Sequence, residues 1–239
     1  MVGCAYASQH ETMTTTNRNA LLETPDVPWA SDAIELVFTQ ESRSVANHSA
    51  RSWIFARMLR DHLNLTQEVD ETLLFAATLL HDIGLRRDAR DPVRFEIDGA
   101  DRAAEFLTAQ GLDAAQVDKV WEAIALHSSP GIPERRGPLT FLTRAGAGMD
   151  FGKFTECISD DQAAAIHEAY PRLAFARSIV EQIRATRSAD RCSLSDTPLS
   201  ANARHRHTSR NWSARPPHHA GANNGGMQRQ SYQLSTTGT

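Results

Sequence analysis

Residues 66–84 read TQEVDETLLFAATLLHDIG, and this stretch decides the fold. Val69, Leu73, Ala76, Ala77 and Leu80 recur every three or four positions, the spacing that gathers apolar side chains on one face of an α-helix. Strict alternation of apolar and polar residues, the mark of a half-buried strand, is absent. Thr66 is placed to open the helix and Gly84 to stop it. A buried helix therefore ends in His81-Asp82, two polar side chains delivered to one point with an apolar core behind them.

The same period continues outward on both sides. Ser31 is the expected cap of a first helix with Ile34, Val37 and Phe38 inward, and a second runs from about Val45 to Leu63 on a stripe of Ile54, Phe55, Met58 and Leu59. Past the centre, Asp98 is expected to cap a helix burying Ala103, Ala104, Phe106 and Leu107, which Gly111 ends. Asp113 with Gln116 forms a capping-box pattern ahead of a helix carrying Val117, Val120, Trp121, Ile124 and His127, closed by Pro130-Gly131. Residues 139–151 are predicted as a helix with Asp150 near its end. Ser159 with Gln162 opens a short one, and after Pro171 a last helix turns Leu173, Ala176, Ile179, Val180 and Ile183 toward the body. The expected fold is an all-α, compact helical bundle with no internal repeat.

Hydrophobic residues make up 41% and charged residues 23% of the 239, an ordinary balance for a soluble globular chain. No apolar run approaches the roughly 20 residues that cross a bilayer, so no membrane partner is expected. Met1 to Asn19 is polar and lacks the pattern of a secretory signal, which predicts a cytoplasmic location. Cys4, Cys157 and Cys192 are too scattered for a disulfide framework or a CxxC metal knuckle and are read as reduced thiols. From about Arg191 the chain turns to Ser, Thr, Asn, Gly, Pro, His and Arg, too poor in apolar side chains to offset its ordering entropy. The resulting plan is a flexible N-terminus over 1–27, a folded domain over 28–188 and a disordered basic tail over 189–239. His205, His207, His218 and His219 lie in that tail without a scaffold and are expected to be solvated. Residues 191–239 hold six Arg against one Asp, a net +5 that leaves −9 on residues 1–190. An acidic folded domain argues against nucleic acid as its main partner; the expected partner is a small-molecule substrate, with a homo-oligomer left open.

An imidazole beside a carboxylate at the end of an apolar helix offers two metal-ligand types at one place. Taken alone, the dipeptide is equally a capped helix end with a hydrogen-bonded His. Three further strings accompany it: Asn47-His48-Ser49-Ala50-Arg51-Ser52, Phe95-Glu96-Ile97-Asp98-Gly99-Ala100 and Ala125-Leu126-His127-Ser128-Ser129-Pro130-Gly131, with Gly146-Ala147-Gly148-Met149-Asp150 after them. In that order they resemble the HD superfamily of metal-dependent phosphohydrolases, and more narrowly its cyanamide hydratase branch, over roughly residues 30–185. The resemblance implies an HD domain over 28–188 in which His48, His81, Asp82 and Asp150 hold a divalent ion. Zn is the first choice of metal, and Fe, Mn, Co or Ni also suit the mixed N/O set. Superfamily members with two metals often carry a further His where this chain has Phe95 and Glu96, so one metal is expected.

Around that centre, His127 is either a helix-end His bonded to the last carbonyls or a pocket residue that moves a proton. Arg51, three residues after His48, either binds an anionic substrate or pairs with Asp82 or Asp98. Catalytic roles are expected for His127, Asp82 and Arg51. His10, His62 and His167 are given no role. Trp53, Phe55 and Trp121 are read as core, and the run from Arg86 to Asp91 as a solvated loop or a lid over the metal pair. No Gly-rich phosphate cradle, nucleophile elbow or HExxH helix occurs. The first reading of the reaction is addition of water to a small nitrile-type carbon, cyanamide to urea. The alternative is hydrolysis of a nucleotide or other phosphoester, and a third is a non-catalytic, adhesive role of the basic tail.

Overall fold

The computed structural model of the chain describes residues 21–85 and 93–184, all within one unit, Met1–Thr197. The expected lid of residues 86–91, His10, Cys4, Cys192 and the tail from 189 with its four His lie outside the described residues. The described residues form helices α1 (Ala30–Gln40), α2 (Arg43–His62), α3 (Glu71–Leu79), α4 (Phe95–Ala109), α5 (Ala114–Leu126), α6 (Pro138–Met149) and α7 (Asp160–Ala169), followed by α8 over residues 175–184. Short 3-10 turns stand at Ile83–Leu85, Pro133–Arg135 and Thr155–Cys157. Among the described residues there is no strand, and no helix is long and apolar enough to cross a membrane. The all-α expectation holds.

Helix starts follow local chemistry where a side chain can reach the free N–H groups. The Asp113 and Ser159 capping boxes are both formed, each with its Gln reaching back to the cap N–H. The opening of α3 is corrected from Thr66 to Asp70, whose carboxylate accepts from Thr72 N at 2.8 Å and Leu73 N at 3.3 Å. Residues 66–69 form turns instead, with Val69 already in the core. Ser31 and Asp98 are not caps either: α1 starts after Trp29 and α4 after Arg94, without a side-chain cap bond. Asp98 lies inside α4 and pairs with Arg102 at 3.4 Å.

Helix α2 is the axle of the bundle, with 15 of its 20 residues buried. It packs chiefly on α6 and then on α3, while α4 lies along α5. The α2–α6 approach depends on small residues: a Cβ on Gly146 would stand 2.5 Å from Ser52 O and 2.7 Å from Ala56 Cβ. Trp53 is fully buried against Phe75 and donates its indole N–H to Leu22 O at 2.6 Å. Leu22 is itself 3% exposed, so the core reaches back before Pro28. Burying each such side chain contributes about 1.5–3 kcal/mol.

Gly84 acts differently from a left-handed helix stop. Its φ is not positive, and α3 already ends at Leu79, with Leu80 as its cap. A Cβ at Gly84 would overlap the Phe95 carbonyl oxygen and come within 2.8 Å of Gly99 N. The backbone after His81-Asp82 thus crosses the first turn of α4 at a distance only glycine allows. The inward face of α8 is also corrected. Phe175 is 1% exposed, whereas Leu173 is 62% and Val180 44% exposed. Leu173 sits at φ 51° before the helix begins, which shifts the phase of the apolar stripe.

Candidate metal centre

Three side chains from two elements converge beneath α8. His48 comes from the second turn of α2, and His81 and Asp82 from the turn after α3; each is 1% exposed. The Thr78 carbonyl lies 2.8 Å from His81 Nδ1, and since a carbonyl only accepts, Nδ1 carries the proton and Nε2 a lone pair. His48 Nδ1 donates to Asp150 Oδ2 at 2.8 Å, which leaves a lone pair on His48 Nε2, 3.5 Å from the Ser52 hydroxyl. The two Nε2 atoms stand 3.3 Å apart, and Asp82 Oδ2 is 3.3 Å from that of His81 and 3.8 Å from that of His48.

Asp82 Oδ2 is buried without a hydrogen-bond partner, a costly arrangement unless a cation joins it. Three atoms at these separations lie on a circle about 2.0 Å in radius, close to the roughly 2.0–2.1 Å bonds of Zn²⁺ to imidazole and carboxylate. Among the described residues, His48, His81 and Asp82 form a group whose ligand atoms all lie within 4.8 Å of one another. The donor set and its geometry fit a divalent ion.

The structure does not bring Asp150 into that group. It occupies the C-cap of α6 and meets His48 from the opposite side of the ring, at Nδ1. Its oxygens take Arg51 Nε at 3.0 Å and Arg51 Nη2 at 2.5 Å, a two-pronged ion pair of a kind planar guanidinium favours. Arg51 Nη1 donates to Tyr170 O at 2.7 Å, and Arg172 Nη2 to the Asp150 carbonyl. Arg51 thus pairs with Asp150 and not with Asp82 or Asp98. Arg51 is fully buried and holds the Asp150 carboxylate. The physical reason is burial: a guanidinium out of water must be matched by a carboxylate, and Asp150 is the one α6 delivers.

Charge balance follows the contacts. Burial pushes Asp82 up, but His81 and His48 outweigh it and hold the carboxyl far below its ordinary range. Asp150 behaves alike under His48 and Arg51. Burial lowers the His48 pKa, partly offset by Asp150. For His81 the burial effect is overcome by Asp82, and the pKa rises.

His127 is the C-cap of α5 and makes the bond to a last carbonyl expected of a helix-end His. Nδ1 donates to Ile124 O at 2.7 Å, and Nε2 stands 3.6 Å from Asp82 Oδ1. Burial and then His81 press its pKa down to about 4, so near neutral pH the ring is uncharged with a lone pair toward Asp82. Its neighbour Ser128 donates to Glu96, which Arg94 holds at 2.9 Å.

Aromatic rings wall the centre: Phe175 stacks on His48 at 4.2 Å, while Phe151 meets His48 at 5.8 Å and Phe95 meets His127 at 5.7 Å edge-on. Trp53 and Phe55 belong to the core, and Trp121 is half-buried with its N–H on Asp101. His62 is exposed and His167 half-buried. The free Cys157 thiol is half-buried too. None of these three joins the centre. Sequence reasoning missed Phe175, the carbonyls of Thr78 and Tyr170, and buried Glu41, which accepts from Ser49 at 3.1 Å and which burial and then Asp82 push well up in pKa. Glu41 had a signal, an acid at a helix junction seven residues before His48; the others had none.

The HD domain family profile matches residues 45–167, a span that contains His48, His81, Asp82, His127 and Asp150. No curated protein matches the chain. With more than half of its length matched, and a His and a His-Asp pair meeting at one cation-sized gap, the chain belongs to the HD domain family, which points to a metal-dependent hydrolase.

Proposed function

We propose that this protein activates water on a single divalent ion held by His48, His81 and Asp82, and adds it to a small, uncharged nitrile-type substrate such as cyanamide. The observation that carries this reading is the convergence of three unshared electron pairs within 3.3–3.8 Å, walled by Phe95, Phe151 and Phe175. Asp150 acts as the orienting partner of His48, and Arg51 as the orienting partner of Asp150. Arg51, one helical turn from His48, is thereby already bound to a carboxylate, which favours an uncharged substrate over an anionic phosphate. Zn²⁺ is the first choice of metal for two nitrogens and one oxygen.

An ion bound there supplies Lewis acidity and brings the pKa of water from 15.7 toward about 7. His127 Nε2, with its Nδ1–H tied to Ile124, is the acceptor for the proton of the attacking water. Water oxygen bonds the nitrile carbon, one C–N π bond breaks, and His127 returns its proton to the nitrile nitrogen. Proton shift between oxygen and nitrogen then gives the amide, urea in the case of cyanamide, with no co-reactant consumed. Asp82 Oδ1 faces His127 and steadies the imidazolium between the two transfers.

Metal analysis of the purified protein, with urea formation from cyanamide and phosphate release from a nucleotide panel run side by side, tests this. The expected result is one divalent ion per chain, urea formed and no phosphate released. Phosphate release without urea would replace the hydratase reading with the phosphohydrolase one, and a metal-free protein would sink both.

A further inference from the structure

Phe175 is 1% exposed, yet it stands outside the main hydrophobic cluster of the described residues. Two of its neighbours are polar. The His48 ring stacks on it with centroids 4.2 Å apart and planes 22° from parallel, and the Arg51 guanidinium carbon lies 5.8 Å from its centroid. Phe151 lies against it with centroids 5.3 Å apart and the planes tilted by 47°. His48 and Arg51 are one helical turn apart on α2, so a single ring spans both. The contacts close a loop: Phe175 covers His48, His48 donates to Asp150, Asp150 holds Arg51, and Arg51 returns to Phe175.

The surrounding segment lies beyond the family match and clasps α2 repeatedly. Tyr170 O accepts from Arg51 at 2.7 Å, Pro171 O from Asn47 at 2.8 Å, and Gln182 Nε2 donates to Ser42 Oγ at 2.9 Å. Rotation of an imidazole about its terminal torsion is soft, with broad wells. The Nδ1 bond to Asp150 and the Ser52 hydroxyl 3.5 Å from Nε2 hold two ring atoms but leave the ring free to tilt about the line between them. A flat face at stacking distance removes this tilt.

We propose that Phe175 is a positioning residue for His48: its ring fixes the imidazole plane so that Nε2 stays on His81 and Asp82, which makes residues 170–182 part of the metal centre. The proposal rests on the reading of His48, His81 and Asp82 as metal ligands. It predicts that the ring face, and not apolar bulk alone, sets metal affinity.

The test uses Co²⁺ as the probe on the full chain, because its visible absorption reports ligand number and geometry. Phe175→Leu keeps apolar bulk but loses the face, and Phe175→Tyr keeps the face. Phe175→Leu should weaken Co²⁺ binding by about tenfold to a hundredfold, the range for groups that orient ligands, and should change the visible bands. Phe175→Tyr should bring both back to the wild-type pattern. Should Phe175→Leu fail to fold, Phe175→Met takes its place with the same expectation. Wild-type affinity and spectrum in the Leu or Met variant, or an equal loss in the Tyr variant, would overturn the proposal. Wild-type protein that takes up no Co²⁺ would instead sink the metal centre itself, a distinct outcome.

Discussion

Replacing Arg51 with Met removes a charge from the interior without much changing the volume it fills. Arg51 is fully buried and bonded twice to Asp150, so the substitution leaves that carboxylate with His48 at 2.8 Å and the half-exposed Arg172 at 3.6 Å. Breaking a buried pair by deleting one partner costs about 3–5 kcal/mol. The surviving His48 bond places the expectation at the low end, about 3 kcal/mol, equivalent to roughly 6–12 °C in Tm for a chain of this size. The loss should depend on pH in a defined direction. In the wild type the folded pKa of Asp150 is depressed, so the pair stabilises fully above the ordinary carboxylate pKa and loses that contribution only as pH falls through the depressed value. In the variant, burial acts on Asp150 without Arg51, its pKa rises, and protonation relieves the strain as pH drops. The gap in urea-unfolding free energy between the two proteins should therefore be widest near pH 7.5 and narrow toward pH 4. Adding Asp150→Asn to Arg51→Met should recover more than about 1 kcal/mol, because an amide is cheaper to bury than an unpaired charge. A single variant that melts within about 1 °C of wild type, or a gap that widens on acidification, would refute the reasoning.

Four further outcomes are expected. Asp82→Asn keeps the shape of the side chain and should weaken metal binding by more than about a hundredfold, beyond the loss seen when a mere orienting group is removed, as read by metal content after dialysis. His127→Gln should retain the metal while slowing turnover by about a hundredfold to ten-thousandfold, the usual contribution of a positioned acid or base; loss of metal in that variant would make His127 a ligand. Gly84→Ala forces a methyl into the Phe95 carbonyl and should cost about 1–3 kcal/mol by overpacking. Gly111→Ala, where φ is +86° and the space is open, should cost only the left-handed backbone penalty of about 1–2 kcal/mol and leave metal binding intact.

The parts of this molecule that could be read from its residues are those fixed by neighbours in the chain. Both capping boxes are local, and each is where the spacing predicts; the helix ahead of His81-Asp82 is present too, but shorter at both ends than its apolar period suggests. Caps failed where a packed tertiary contact replaced them, as at Trp29, which opens α1 while packing against Phe75 and Phe106. The grouping of His48 with His81 and Asp82 was legible through motif order. The partner chosen by Arg51 was not, because it depends on how closely α6 approaches α2, a distance set by Gly146 and Ala56. Phe175 was invisible for a similar reason: its partner lies more than a hundred residues earlier, and the stripe around it pointed another way.

Burial of the triad has a kinetic consequence. With each of the three side chains 1% exposed and Phe175 stacked on His48, an ion held there would leave only as the surrounding segment opens. Local openings of this kind are rare excursions of the native state. Release to a strong chelator should then proceed at a rate that stops rising with chelator concentration, limited by the opening itself. Such a protein keeps whichever ion it folded around, so the metal found in a preparation records the supply at synthesis as much as any preference of the ligands.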